Sequence, residues 1–246
     1  MIGIDLTGMV VAITGAAGGI GTGITERFAA AGASLVLQHH RSPAPAAATD
    51  HIAVQVDLTD EHAPSALVEA AVGRFGRLDC LVNNAAVQPH AELTSMTDAQ
   101  WHEMIETNLT AAHRLTLAFA HHVIGRNGEG SVVHISSIEG TQPASGHGHY
   151  GVSKAALLMH AKVGAIELGK HRIRVNAVSP GLIHRDGIEQ AWPEGVNRWL
   201  EKAPLGRLGT PADVGNACVF LCSPLAAWVS GANLIVDGGV SARSTW

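Results

Sequence analysis

The sequence predicts a single-domain, doubly wound α/β fold, a seven-stranded parallel sheet with helices on both faces. Three observations predict it. Short β-rich apolar runs alternate with helical segments along the chain, and strand–helix–strand repeats of that kind imply right-handed crossovers and a sheet covered on both sides. The first apolar run stops at a glycine-rich turn that leads into a helix. No linker, internal repeat or charged tail divides the 246 residues.

Taken in order, "MVVAIT" (9–14) is apolar and stops at Gly15, as a buried parallel strand should. "TGAAGGIG" (14–21) forms the turn, and a helix runs from about Gly19 to Ala31, closed by Gly32. "SLVLQ" (34–38) and "IAVQV" (52–56) are the second and third strands. Between them, the prolines of "SPAPAAATD" (42–50) disfavour a long helix, so a loop or one short turn is expected. A helix over 61–75 precedes the strand "LDCLVN" (78–83), and another over 97–125 precedes "SVVHIS" (131–136). Helix 149–169, strand "IRVNAV" (173–178), helix 211–222 and strand "NLIVD" (233–237) complete the series.

Composition narrows the function. Hydrophobic residues make up 46% and charged residues 15%, enough apolar material for a sizeable core. The net charge of −5, with no Lys/Arg cluster, argues against nucleic acid or an anionic membrane as the main partner. Cys80, Cys218 and Cys222 match no disulfide framework, which points to a reducing compartment. Cys218 and Cys222 read as buried small hydrophobes rather than metal ligands, since no His or acid completes a site. The N-terminus lacks a basic leader and no apolar stretch reaches the ~18 residues that span a bilayer, so a cytoplasmic location is expected.

The chemistry concentrates in a few places. Glycines between a first strand and its helix let backbone amides approach a pyrophosphate, and "TGAAGGIG" occupies that position. Tyr150 is the only tyrosine, and Lys154 follows it by four residues on a predicted helix; positions i and i+4 share a face, so both side chains project into one site. A free phenol has a pKa of about 10, too high for ready proton exchange at neutral pH. A neighbouring ammonium is expected to lower it towards 7.

The set T-G-x-x-x-G-x-G (14–21), "NNAA" (83–86), Ser137 thirteen residues before Tyr150, Y-x-x-x-K, "SPG" (179–181) and "VSGANLIVDGG" (229–239) resembles the short-chain dehydrogenase/reductase family across practically the whole chain. The resemblance implies a Rossmann-like fold and a catalytic set of Asn108, Ser137, Tyr150 and Lys154. Tyr150 would be the general acid/base and Ser137 would orient the substrate oxygen. Lys154 would lower the phenol pKa and bind the nicotinamide ribose, and Asn108 would hold a water for proton relay. Ser136 is set aside, because strand alternation turns it the other way. Cofactor contacts are expected from Thr14, Gly15, Gly19, Ile20, Gly21, His39, His40, Arg41, Asp57, Leu58, Asn83, Asn84, Ala85, Tyr150, Lys154, Pro180, Gly181 and Ile183.

Relatives that use NAD carry an Asp at the end of the second strand. Here "LQHHRS" (37–42) places His39 there, and Arg41 and His40 could meet a 2′-phosphate. NADP(H) is therefore favoured over NAD(H), although the glycine turn lacks the basic residue that many NADP-using relatives carry. Residues 182–205 are expected as a substrate lid, with Arg185 where many relatives have Thr. Gln88, His90, Glu139, Gln142, His147, His149, Arg185 and Trp192 are candidates for the substrate end, and that polarity suits a sugar, polyol, cyclitol or keto-acid-like substrate. A 3-oxoacyl-type reductase is the competing enzyme reading, and a silent dinucleotide-binding sensor or scaffold the competing reading of another class. No metal is expected. Family resemblance implies a homotetramer paired through the helices near 97–125 and 149–169.

Overall fold

The computed structural model describes residues 3–242. Strands β1 (Val10–Ile13), β2 (Ser34–His39), β3 (His51–Gln55), β4 (Cys80–Asn83), β5 (Gly130–Ile135), β6 (Ile173–Pro180) and β7 (Asn233–Val236) form one parallel sheet in the order β3-β2-β1-β4-β5-β6-β7. The chain leaves β1 in one direction and later restarts on its other side at β4. The carboxyl ends on either side of that reversal open a crevice, and the register sets Ile13 beside both Leu37 and Val82.

Strand alternation divides the core. Val11 and Ile13 join Leu35, Leu37, Val82 and Val133 beneath helices α1 (Gly19–Ala30) and, near the other end of the chain, α8 (Pro211–Cys222). Val10 and Ala12 join Val36, Leu81 and Val132 on the opposite face, beneath α2 (Ala63–Phe75), α4 (Ala111–Gly125) and α5 (Gly148–Leu168). All four residues of β1 and all four of β4 are buried, which explains why neither shows a polar/apolar alternation. The three cysteines are free and buried in the first of these cores, and burial holds the Cys218 thiol well above its ordinary pKa.

Residues 42–50 contain no helix, as their prolines predict. The helix expected over 97–125 differs. It begins as α3 (Asp98–Ile105), fixed by a capping box between Thr97 and Gln100, but Glu106–Thr110 winds as a π turn before α4 starts at Ala111. Asn108 sits inside that turn, and its side-chain bonds, described below, account for the break. The segment after β6 carries two further helices, α6 (Ile188–Ala191) and α7 (Pro193–Lys202). Among the described residues, no helix is long and apolar enough to cross a membrane.

Candidate active site

A cavity of about 1170 Å³ follows the carboxyl edge of the sheet from Leu58 and Thr59 to Trp192. Its floor is the glycine turn. Gly15 has φ +61°, and a side chain there would reach within 2.8 Å of the Ala85 Cα. A side chain on Gly21 would run into the Gly15 carbonyl and lie 2.9 Å from the Ala16 Cα. Gly18, which caps α1, offers no side-chain cap, and the first turn of the helix has no acidic residue. The amides of Gly19, Ile20 and Gly21 therefore lack an intrahelical acceptor and face the cavity at the positive end of the helix. That open donor set fits a pyrophosphate, so the residues present suit a dinucleotide.

Thr14 and Asn84 build the crevice from beneath. The Thr14 Oγ1 accepts from the Asn84 amide at 2.9 Å and the Ala85 amide at 3.0 Å. In return, the Asn84 Nδ2 donates to the Thr14 and Gly15 carbonyls at 2.9 and 3.1 Å. Thr14 is thus buried and absent from the cavity wall, while Asn84 and Ala85 line it. Gln38 was not anticipated from the sequence. Its Oε1 accepts from the Gly15 amide at 2.8 Å, and its Nε2 donates to the Val56 carbonyl at 2.7 Å, clamping the glycine turn to the edge of the sheet. The available signal was its place as an amide directly after the apolar "LVL" of the second strand.

At the adenine end, strand alternation corrects the expected contacts. Gln38 and His40 face the cavity, whereas His39 does not line it, because successive residues of a strand turn to opposite sides; Arg41, exposed in the bend after β2, stands off the wall but close enough to act on Asp57. The His39 Nδ1 is buried without a partner among the described residues. Asp57 lies on the wall with Leu58. Hydrogen bonds from the Thr59 amide (3.0 Å) and Oγ1 (2.8 Å) hold its carboxyl below the usual range, and His40 and Arg41 add to the effect. The His40 Nε2 stands 3.7 Å from the Asp57 carboxylate.

At the centre, α5 presents Tyr150 and Lys154 on one face. The Lys154 Nζ donates to the Ile135 carbonyl at 2.9 Å and lies 5.4 Å from the Tyr150 ring centroid. Ser136 and Ser137 follow the end of β5, and although both border the cavity their hydroxyls take different partners. The Ser136 Oγ donates to the Lys154 carbonyl at 2.8 Å and so ties β5 to α5, while the Ser137 Oγ accepts from the Glu139 amide at 3.1 Å and sits beside the phenol. Asn108 is buried behind them. Its Oδ1 accepts from the Val87 amide at 2.8 Å, and its Nδ2 donates to the Val87 carbonyl at 2.9 Å and the Ser153 Oγ at 3.3 Å.

The protein's own groups do not by themselves lower the phenol pKa. Burial, reinforced by the Glu139 carboxylate, pushes Tyr150 up to about 12 against the pull of the Ser137 hydroxyl. Burial also pushes Lys154 down to about 8. A desolvated ammonium that is already bonded to a carbonyl does not, on its own, bring the phenol down.

Beyond Tyr150 the wall carries Gln88, Glu139, His147, Arg185 and Trp192. Gln142 is exposed away from the wall, its amide closing onto the Ile138 carbonyl at 2.9 Å. His149 is buried off the wall with neither ring nitrogen partnered among the described residues. Pro180, Gly181 and Ile183 border the cavity from β6. A bridge to Gly209 uses the His184 amide (2.7 Å) and the Leu182 carbonyl (3.0 Å), which turns Ile183's own N–H and C=O away from Gly209. Trp199 packs its ring where a side chain on Gly181 would stand, and its buried indole N–H has no partner among the described residues. Arg185 is exposed and forms no ion pair among the described residues, whereas neighbouring His184 lies 3.4 Å from Glu189. No group of three or more His, Cys, Asp or Glu among the described residues is arranged to hold a metal.

Comparison with known proteins agrees with this geometry. A family model described as enoyl-(acyl carrier protein) reductase matches residues 15–241. The chain is 31% identical to 3-oxoacyl-[acyl-carrier-protein] reductase FabG of Vibrio cholerae, over 96% of this chain and 98% of that protein. It is 32% identical to glucose 1-dehydrogenase 2 of Bacillus subtilis, over 96% of each. Identity to the 7alpha-hydroxysteroid dehydrogenase of Escherichia coli K12 is 36%, over 95% of this chain and 94% of that one. A solved structure of a glucose/ribitol dehydrogenase from Brucella melitensis superposes with a TM-score of 0.86 at 28% identity, covering 97% and 99% of the two chains. These relatives share a fold and a class of chemistry while their named substrates differ.

Proposed function

Since the chain belongs to the short-chain dehydrogenase/reductase family, and is on that ground an NAD(P)-dependent oxidoreductase acting on CH–OH and C=O groups, we propose that it interconverts a polar secondary alcohol and its ketone with NADP(H) in preference to NAD(H). The observation that carries the polar substrate is the wall beside Tyr150, where Gln88, Glu139 and His147 take the place an apolar lining would occupy. The competing 3-oxoacyl reductase reading draws on the FabG relatives, but a long acyl chain would gain nothing from Gln88, Glu139 and His147.

The bound cofactor supplies the hydride acceptor or donor. The free amides of Gly19, Ile20 and Gly21 would hold its pyrophosphate, and Asp57 and Leu58 would border the adenine. Ile183 would meet the nicotinamide carboxamide through its backbone, and Lys154 the nicotinamide ribose. Ser137 orients the substrate oxygen, and Tyr150 exchanges a proton with it. A phenol held at about 12 stays protonated through neutral pH, so the protein's own charges favour donation to the alkoxide formed in reduction. Asn108 keeps the loop that carries Val87 against α5. A proton relay through Asn108 behind Lys154 is carried over from the family resemblance. NADP(H) is supported by the lack of any carboxylate from Gln38 to Arg41 and by the cationic Arg41 close to Asp57.

In this reading the whole chain acts as one dinucleotide-binding domain, and 182–205 closes over the substrate. It works as a homotetramer in the reducing cytoplasm. Exposed Leu117, Val152, Met159, Val163 and Ile166 on α4 and α5 support pairing through those helices. The test is a screen of NADPH and NADH oxidation over a panel of ketones, with the reverse reaction over polyols. Turnover of polar hydroxyketones with NADPH is expected. Activity confined to long-chain 3-oxoacyl thioesters would replace this reading with its competitor, and bound cofactor without any turnover would favour a silent sensor.

A further inference from the structure

We propose that Glu139 determines specificity. Its carboxylate accepts a hydrogen bond from a substrate hydroxyl next to the reacting carbon, so the site takes neutral polyhydroxylated substrates and turns away those with an acidic group there. This rests on the reading above and narrows it, because keto-acid-like substrates fall outside it.

Three segments converge on this carboxylate. The Gln88 Nε2, from the loop after β4, lies 3.2 Å from Oε1, and the His147 Nδ1, from the approach to α5, lies 3.0 Å from Oε2. Each oxygen thus has one donor and keeps a lone pair. Glu139 lies on the cavity wall with its side chain only 20% exposed. Its backbone amide binds Ser137, placing it two residues from the hydroxyl that orients the substrate oxygen. Its charge also reaches the reaction centre, since it is the second cause, after burial, of the raised Tyr150 pKa. A fixed, half-desolvated acceptor recognises O–H donors and repels a second anion, while the donors that hold it prevent it from swinging aside. His147 offsets its charge only when protonated, and the permanent cations on the same wall do not neutralise it. Lys154 is bonded to the Ile135 carbonyl, and Arg185 stands exposed on the lid without contact to Glu139.

The test compares parent enzyme and Glu139→Gln, with the preferred cofactor, on a neutral hydroxyketone such as erythrulose and on the oxo acid acetoacetate. The parent should favour erythrulose. In E139Q, kcat/KM for erythrulose should fall about tenfold or more, chiefly through KM, while that for acetoacetate rises, and the Tyr150-dependent limb of the pH profile should move to lower pH. A merely structural role would depress both substrates together and leave the pH limb in place. If E139Q does not fold, His147→Asn, which loosens the same carboxylate, should shift the substrate ratio in the same direction by a smaller factor. A ratio within threefold of the parent in whichever variant folds, or a parent that prefers acetoacetate, overturns the proposal while the oxidoreductase reading stands. Failure of the parent on both probes and on every polyol overturns that reading and this one with it.

Discussion

Replacing Lys154 by methionine should separate stability from activity. Lys154 is 2% exposed, and burial lowers its pKa from 10.5 to about 8. At pH 7 both folded and unfolded chains carry the charge, and the drop corresponds to about 3 kcal/mol against the folded state. Methionine retains most of the stem and removes that cost, but leaves the Ile135 carbonyl without its 2.9 Å donor, a loss of about 1–3 kcal/mol. The variant should therefore be as stable as the parent at pH 7, or up to about 2 kcal/mol more stable, while turnover collapses. The pH dependence carries its own sign. Because the folded pKa lies below the unfolded one, the folded state sheds its proton first, and the parent gains stability as pH rises from about 8 towards 10.5. Between pH 7 and 9.5 the difference between parent and K154M should move by about 2 kcal/mol in the parent's favour. Urea unfolding followed by tryptophan fluorescence at both pH values, with activity assayed alongside, measures it. A variant that loses more than about 2 kcal/mol at pH 7 and shows no pH-dependent difference would refute the view that the ammonium is held at a cost.

Tyr150→Phe removes the exchangeable proton and preserves shape, so turnover should fall by roughly 10²-fold or more while cofactor affinity, read by fluorescence titration, changes little. Arg41→Ala should weaken NADPH binding by about 1–3 kcal/mol, the worth of a charge-assisted phosphate contact, and leave NADH binding nearly unmoved; equal loss for both cofactors, or a parent that prefers NADH, sinks the NADP(H) assignment. Gly21→Ala drives a methyl group into the Gly15 carbonyl, and overpacking of that kind costs about 1–3 kcal/mol. Calorimetry should find the loss in cofactor binding, and unchanged affinity would show that the turn can yield. Arg185→Ala should raise KM more than it lowers kcat if the side chain anchors a ligand, and unaltered kinetics would make it a surface charge.

Much of the fold was legible because its signals are local. Apolar runs, the glycine turn and the prolines of 42–50 each specify their own stretch of backbone. Side chains of the candidate site were legible where spacing sets geometry, as with Tyr150 and Lys154 on one helix face. The reading failed where the outcome depends on phase or environment. His39 was placed at the cofactor by counting to the strand end, whereas alternation aims Gln38 and His40 at the cleft and His39 away. The raised phenol pKa depends on burial and on the Glu139 carboxylate, neither of which is written in Y-x-x-x-K. The clamp by Gln38 depends on a partner eighteen residues further on, at Val56.

The π turn at Glu106–Thr110 joins two helices that are out of phase. An α-helix turns by about 100° per residue, and a π turn accommodates one more residue than the α-helical turn it replaces. The stretch therefore acts as a mechanical coupling. Asp98–Ile105 can present one set of side chains to its surroundings while Ala111–Gly125 keeps Ala111, Leu115 and Phe119 seated in the core beneath the sheet. Losing a single residue from 106–110 would close the turn into regular α-helix and leave the two flanking helices in place, because the wide turn is what absorbs the extra residue. Ala111, Leu115 and Phe119 would keep their seats, but the widened turn from which Asn108 reaches the Val87 peptide would be gone. Chain length here is therefore set by the Asn108 contact rather than by the packing of the helices.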